Sequence, residues 1–172
     1  VAGRNICYYH GYDAEPGAVT RDYPFRSLAD GPLSYVMVPG TGAEEDYLGL
    51  DVRGKIAVVQ RGGSYYEAKA RAAQEAGAIG MIVYNDQPGM VYMSITAWTI
   101  PVAFISQADG AYLAQQEEKV LTIATEDAVV TSPVAGMSDF SSWGATSELT
   151  LKPELSAPGG NIYSAVPGNR YE

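Results

Sequence analysis

Three observations predict a mixed α/β domain. KIAVVQ (55–60) is a near-continuous apolar run with β-branched residues, the pattern of a strand covered on both faces. SYYEAKARAAQEAG (64–77) follows, with Ala68, Ala72 and Ala76 at helical spacing. AIGMIVY (78–84) is a second buried run. A strand, a helix and a strand in that order predict parallel neighbours joined by a right-handed crossover.

The other elements are read around this unit. NICYY (5–9) is a short strand, followed by a Gly- and Pro-containing stretch through Pro24. LSYVMV (33–38) is a further strand, and PGTGAEED (39–46) is a turn-rich acidic loop. Ser64 and Glu67 stand three apart, the spacing of a capping box at a helix start. Gly77 sits where a helix commonly ends in the left-handed conformation. PVAFIS (101–106) begins a weaker copy of the pattern, with Ser106 and Asp109 capping a helix that runs to about Gln116. KVLTIATE (119–126) returns as a strand of alternating character. Beyond Val130 the texture turns to Ser, Gly, Pro and isolated aromatics, which predicts a boundary at 130–132.

Composition narrows the function. The 172 residues carry a net charge of −9 and are 47% hydrophobic, a globular profile for one domain plus a satellite piece. Such an acidic chain would repel a phosphate backbone, so no nucleic-acid partner is expected. No apolar run approaches the ~18 residues of a membrane helix, and the opening residues lack the pattern of a leader peptide. The single cysteine, Cys7, leaves no internal disulfide and no cysteine-rich zinc site.

Four groupings resemble sites and are outweighed by plainer readings. Cys7, His10 and Asp13 are spaced like parts of a nucleophile or metal centre, but a strand running into a turn gives their side chains no shared direction. Gly62 and Gly63 before a helix suggest a phosphate loop, yet the dinucleotide and P-loop spacings are both missing, so a tight turn is expected. Glu44, Glu45 and Asp46 lack the alternating ligand spacing of a calcium loop and read as solvated. YNDQPG (84–89) reads as a turn. No Ser/His/Asp set can be assembled around the lone histidine.

Residues 54–86 (GKIAVVQRGGSYYEAKARAAQEAGAIGMIVYND) resemble a protease-associated (PA) domain. Gly54, Lys55, Arg61, Gly62, Tyr66, Lys69, Ala76, Gly77, Ala78, Tyr84, Asn85 and Asp86 fall on the family's motif positions. Tyr66 stands where the family usually has Phe, and Ser64 where some members have a cysteine. IPVAFISQADGAYL (100–113) is similar to the family's later strand and helix. The resemblance covers roughly 25–130. It implies an α+β fold, with an open β-barrel or sandwich-like sheet, a βαβ unit and two main helices.

The tail resembles another family. FSSWGATSELTLKPELSAPGGNIYSAVPGNRY is similar to the stretch before the nucleophile of subtilisin-like serine proteases. Phe140, Ser141, Ser142, Gly144, Lys152, Pro153, Glu154, Ala157, Pro158, Gly159, Ile162, Gly168, Asn169 and Tyr171 carry that likeness. It implies a flanking segment at 1–24, a PA domain at 25–130 and catalytic-domain sequence at 131–172, excised from a secreted or cell-envelope bacterial protease. The implied partners are protein or peptide substrates and the rest of the catalytic domain. No catalytic, cofactor-binding or metal-binding residue is expected within the chain, which should be inert alone. PA domains also serve as sorting or interaction modules in other proteins, which is the alternative reading.

Overall fold

The computed structural model describes residues 1, 3–10, 25–91, 93, 95 and 100–124, and, as backbone only, four two-residue strands beyond them. Contacts divide the chain into two units, Val1–Val129 and Val130–Glu172. In the second, β7 (Gly144–Ala145) pairs antiparallel with β8 (Leu151–Lys152), and β9 (Ala165–Val166) pairs likewise with β10 (Arg170–Tyr171). The rest of the protease-like tail motif, including Phe140 to Ser142 and Pro153 to Gly159, lies outside the described residues.

The first unit is built on a six-stranded sheet. Its strands are β1 (Tyr9–His10), β2 (Pro32–Met37), β3 (Ile56–Gln60), β4 (Gly80–Tyr84), β5 (Val102–Ile105) and β6 (Val120–Thr122), in the spatial order β1-β5-β4-β3-β2-β6. Strands β2 to β5 are mutually parallel. The two edges run antiparallel, β1 on β5 and β6 on β2. β1 starts later than the sequence suggests and covers two residues only.

The central strands alternate between two apolar clusters. Ala57, Val59, Met81, Val83, Val102 and Phe104 enter one, and Ile56, Val58, Ile82, Ala103 and Ile105 enter the other. Every one of these residues is buried, which explains why their sequences read as continuous rather than alternating apolar runs. Helix α1 (Tyr66–Glu75) covers the first face through Ala70, Ala72 and Ala73. Helix α2 (Gln107–Gln115) covers the second through Leu113, and the Tyr35 hydroxyl donates to the Leu113 carbonyl at 2.8 Å.

Two details of α1 differ from the sequence reading. The buried residues of α1 are Lys69, Ala70, Ala72 and Ala73, while Ala68 is exposed. The capping box is also absent: the N-cap is Tyr65, with no side-chain cap hydrogen bond. Gly62 and Gly63, at φ 110° and 75°, turn the chain so that the Ser64 amide donates to the Gly62 carbonyl at 2.9 Å. The helix therefore starts one residue later, and the position three beyond its cap is Ala68, which cannot reciprocate.

Both other helix signals appear as read. At Gly77 (φ 92°) the amides of Gly77 and Ala78 reach back to the carbonyls of Gln74 and Ala73, each at 2.9 Å, which is a Schellman close. At Ser106 the hydroxyl oxygen accepts from the Asp109 amide at 3.1 Å and the hydroxyl donates to the Asp109 carboxylate at 2.6 Å. Replacing Ser106 by Ala should lower stability by ~1 kcal/mol. Ser64→Ala should change it by less than about 0.5 kcal/mol, as at an ordinary surface position. Urea midpoints of the two variants check this, and the reverse order would mean that the helix starts are misplaced.

Candidate functional site

Polar groups collect where the parallel strands end. β3, β4 and β5 stop at Gln60, Tyr84 and Ile105, and the register pairs Gln60 with Tyr84. Arg61 therefore stands beside Asn85 and Asp86. Its Nε donates to the Tyr66 hydroxyl at 3.2 Å, and its Nη1 donates to Asp86 Oδ1 at 3.0 Å and Asn85 Oδ1 at 3.4 Å. Contact with the Tyr66 hydroxyl and then the Asp86 carboxylate raises the Arg61 pKa against the opposing effect of burial. Asn85 is 2% exposed and donates from Nδ2 to the Gly89 carbonyl at 3.1 Å, closing the following turn. Gln107 Nε2 donates to the Asp86 carbonyl at 2.9 Å, tying the start of α2 to the same end.

A second set of contacts lies between α1 and the acidic loop. Glu44–Tyr47 forms a short 3-10 helix. Asp46 is no free member of an acidic trio, because its Oδ2 accepts from the amides of Thr41, Gly42 and Ala43 at 3.1, 2.9 and 2.9 Å. That oxygen is committed to holding the loop, so the solvated reading applies to Glu44 and Glu45 and not to Asp46. Gly63 lies under this loop: a Cβ there would stand 2.3 Å from Thr41 Oγ1. The glycine pair thus serves a tight turn and a close approach between chain segments.

Lys69 enters from α1 with its side chain fully buried and donates from Nζ to the Thr41 carbonyl. Burial lowers its pKa, and the Asp46 carboxylate opposes that shift to a smaller degree. The neighbouring Tyr47 hydroxyl is buried, with no hydrogen-bond partner among the described residues, and burial raises its pKa.

Other sequence candidates are not assembled into a centre. Cys7 is exposed. His10 enters β1 by its backbone, opposite Ala103, while its side chain and Asp13 lie outside the described residues. No group of three His, Cys, Asp or Glu side chains that could hold a metal occurs among the described residues. Residue patterns alone did not single out the Arg61–Asp86 pair or the burial of Lys69. The available signal was positional, since an arginine and an acid directly follow adjacent parallel strands.

Residues 29–113 match the family described as PA domain. The chain carries a PA domain. Its relatives include C5a peptidase of Streptococcus pyogenes serotype M18, 38% identical over 130 residues, and the minor extracellular protease Vpr of Bacillus subtilis, 37% identical over 130 residues. Each alignment covers 74% of this chain, but only 11% of the first protein and 16% of the second. Among solved structures, BSAP, a zinc aminopeptidase from Bacillus subtilis, is similar at 28% identity and a TM-score of 0.52, over 70% of this chain and 29% of that one. In this PA domain the strand ends are closed by polar groups that satisfy one another.

Lys69 offers a test of this packing. The folded chain releases the Lys69 proton at a lower pH than the unfolded chain, where the amine titrates near ~10.4. Between those two values the unfolded state holds more protons, so stability from this group rises with pH. Relative to Lys69→Met, the parent should gain stability as pH rises toward about 10.5 and level off above it in paired urea titrations. Parallel pH profiles would contradict the buried amine.

Proposed function

We propose that this PA domain serves a secreted or cell-envelope subtilisin-like serine endopeptidase of bacterial type, in which it restricts or steers protein substrates. The observation that carries the reading is the extent of the likeness to two proteases. Both alignments run longer than residues 29–113, so they include sequence flanking the PA domain. The likeness of Phe140, Ser141, Ser142 and Gly144, and of Lys152 to Gly159, to subtilase sequence supports the same host. In this reading 1–24 is a flank, 25–130 the PA domain and 131–172 catalytic-domain sequence. The division of contacts between Val129 and Val130 supports it.

The chain itself supplies no catalytic, cofactor or metal group in this proposal. Hydrolysis needs Ser, His and Asp placed together beside an oxyanion hole. The domain acts through contacts remote from the scissile bond, where binding energy selects among long substrates. The likeness to a zinc aminopeptidase supports the PA fold, and the subtilase-like tail favours the serine protease host over that one.

Deleting about 20–130 from the longer protease and rejoining the ends tests this. Cleavage of short chromogenic peptides should stay within roughly tenfold, or ~1.4 kcal/mol of barrier. The choice of cleavage sites in whole proteins should change. Collapse of short-peptide turnover in a folded enzyme would instead mean that the domain shapes the active site. No response from either substrate class would refute steering.

A further inference from the structure

We propose that the open edge of β6 binds an extended, lysine-bearing peptide segment by strand addition. The inference rests on the edge itself and goes beyond the protease reading.

The hydrogen-bond phase shows which backbone groups face outward. The Tyr35 amide donates to the Lys119 carbonyl at 2.8 Å, so residue 119 directs its backbone toward β2. The antiparallel register pairs Ser34 with Val120, Leu33 with Leu121 and Pro32 with Thr122. Backbone direction alternates along a strand, so Leu121 also faces β2 while the N–H and C=O groups of Val120 and Thr122 face away. Pro32 fits the same phase, because its missing N–H would point away from β6 and β3 pairs only from Tyr35 onward. Among the described residues β6 has no second partner. Val120 is 39% exposed and Thr122 is exposed.

A groove beside β6 is lined by Val120, Leu121 and Thr122 together with Pro32, the end of α2, Glu117, Glu118, Val1 and Gly3. Among the described residues Glu117 and Glu118 are the ionisable side chains that line it, and the Val1 amine lines it as well. The nearest lysine is turned elsewhere: Lys119 Nζ donates to the carbonyls of Leu113, Ala114 and Gln116 at the end of α2. The Val1 amine is likewise directed to the Arg4 carbonyl at 3.1 Å. An edge that is open among the described residues, beside two carboxylates that form no ion pair there, selects a strand with cationic side chains: main-chain pairing supplies affinity and charge supplies choice. β6 is short, but its three residues include neither a proline nor a charged side chain to guard the edge.

The test uses the isolated 172-residue chain and an acetylated, amidated hexapeptide of alternating lysine and threonine. Amide exchange read by NMR should slow at Val120 and Thr122 on binding and stay unchanged at Leu121. Changing Glu117→Gln with Glu118→Gln should weaken binding roughly three- to tenfold, and raising salt should weaken the parent more than this variant. A peptide N-methylated at every residue, or one with glutamate for lysine, should not bind. Equal binding by either control, or no binding at millimolar peptide, overturns the proposal. Protection of Val120 and Thr122 in the free monomer would overturn it too, since the chain would then cover its own edge. So would protection that appears only with concentration-dependent dimerisation, which would make a second copy the occupant.

Discussion

Burial of β3, β4 and β5 on both faces is the constraint from which the rest of the first unit follows. A parallel sheet whose side chains are apolar above and below needs a layer on each side. α1 supplies one layer and α2 the other. Close approach is bought with small residues. Ala70, Ala72 and Ala73 let α1 lie near the sheet, and Gly110 lets α2 lie against Tyr84, whose Cγ would stand 2.3 Å from a Cβ at that position. The turns are subordinate to this packing. Gly77 ends α1 in the left-handed conformation so that β4 can begin beside β3, and the glycine pair at 62–63 turns β3 into α1.

The same constraint governs the polar chemistry. Side chains within the central strands are confined to apolar layers, so polar groups can gather only where the strands end. There Arg61, Asn85, Asp86 and Gln107 satisfy one another, and Asp46 and Lys69 fasten the neighbouring loop. A PA domain built this way keeps apolar side chains within its sheet and polar ones at the strand ends.

Much of this architecture is legible in the sequence because local and global signals agree. Continuous apolar runs at 55–60 and 78–84 mark doubly covered strands, Gly77 marks a helix end, and Ser106 with Asp109 marks a helix start. The signal fails where a neighbouring segment overrides it. Ser64 and Glu67 have the spacing of a cap, but the turn at Gly62 and Gly63 moves the helix start to Tyr66. Nothing in the local pattern marks Lys69 as buried, yet its side chain lies in the core, where the acidic loop supplies the Thr41 carbonyl. The placement of β6 beside β2 depends on a long-range crossover through α2 that no local pattern encodes. The candidate site is less legible still, since it arises from residues 25 apart that meet only through strand register.

The central claim is that the two layers and the sheet between them form one cooperative core. Native-state amide exchange across a denaturant series tests it most directly. Amides of Val58, Val59, Ile82, Val83, Ala103 and Phe104 should exchange slowest and converge on a single opening free energy equal to that of global unfolding. α1 and α2 should join them before the edge strands do. Separate opening free energies for the α1 and α2 sides of the sheet would contradict the account.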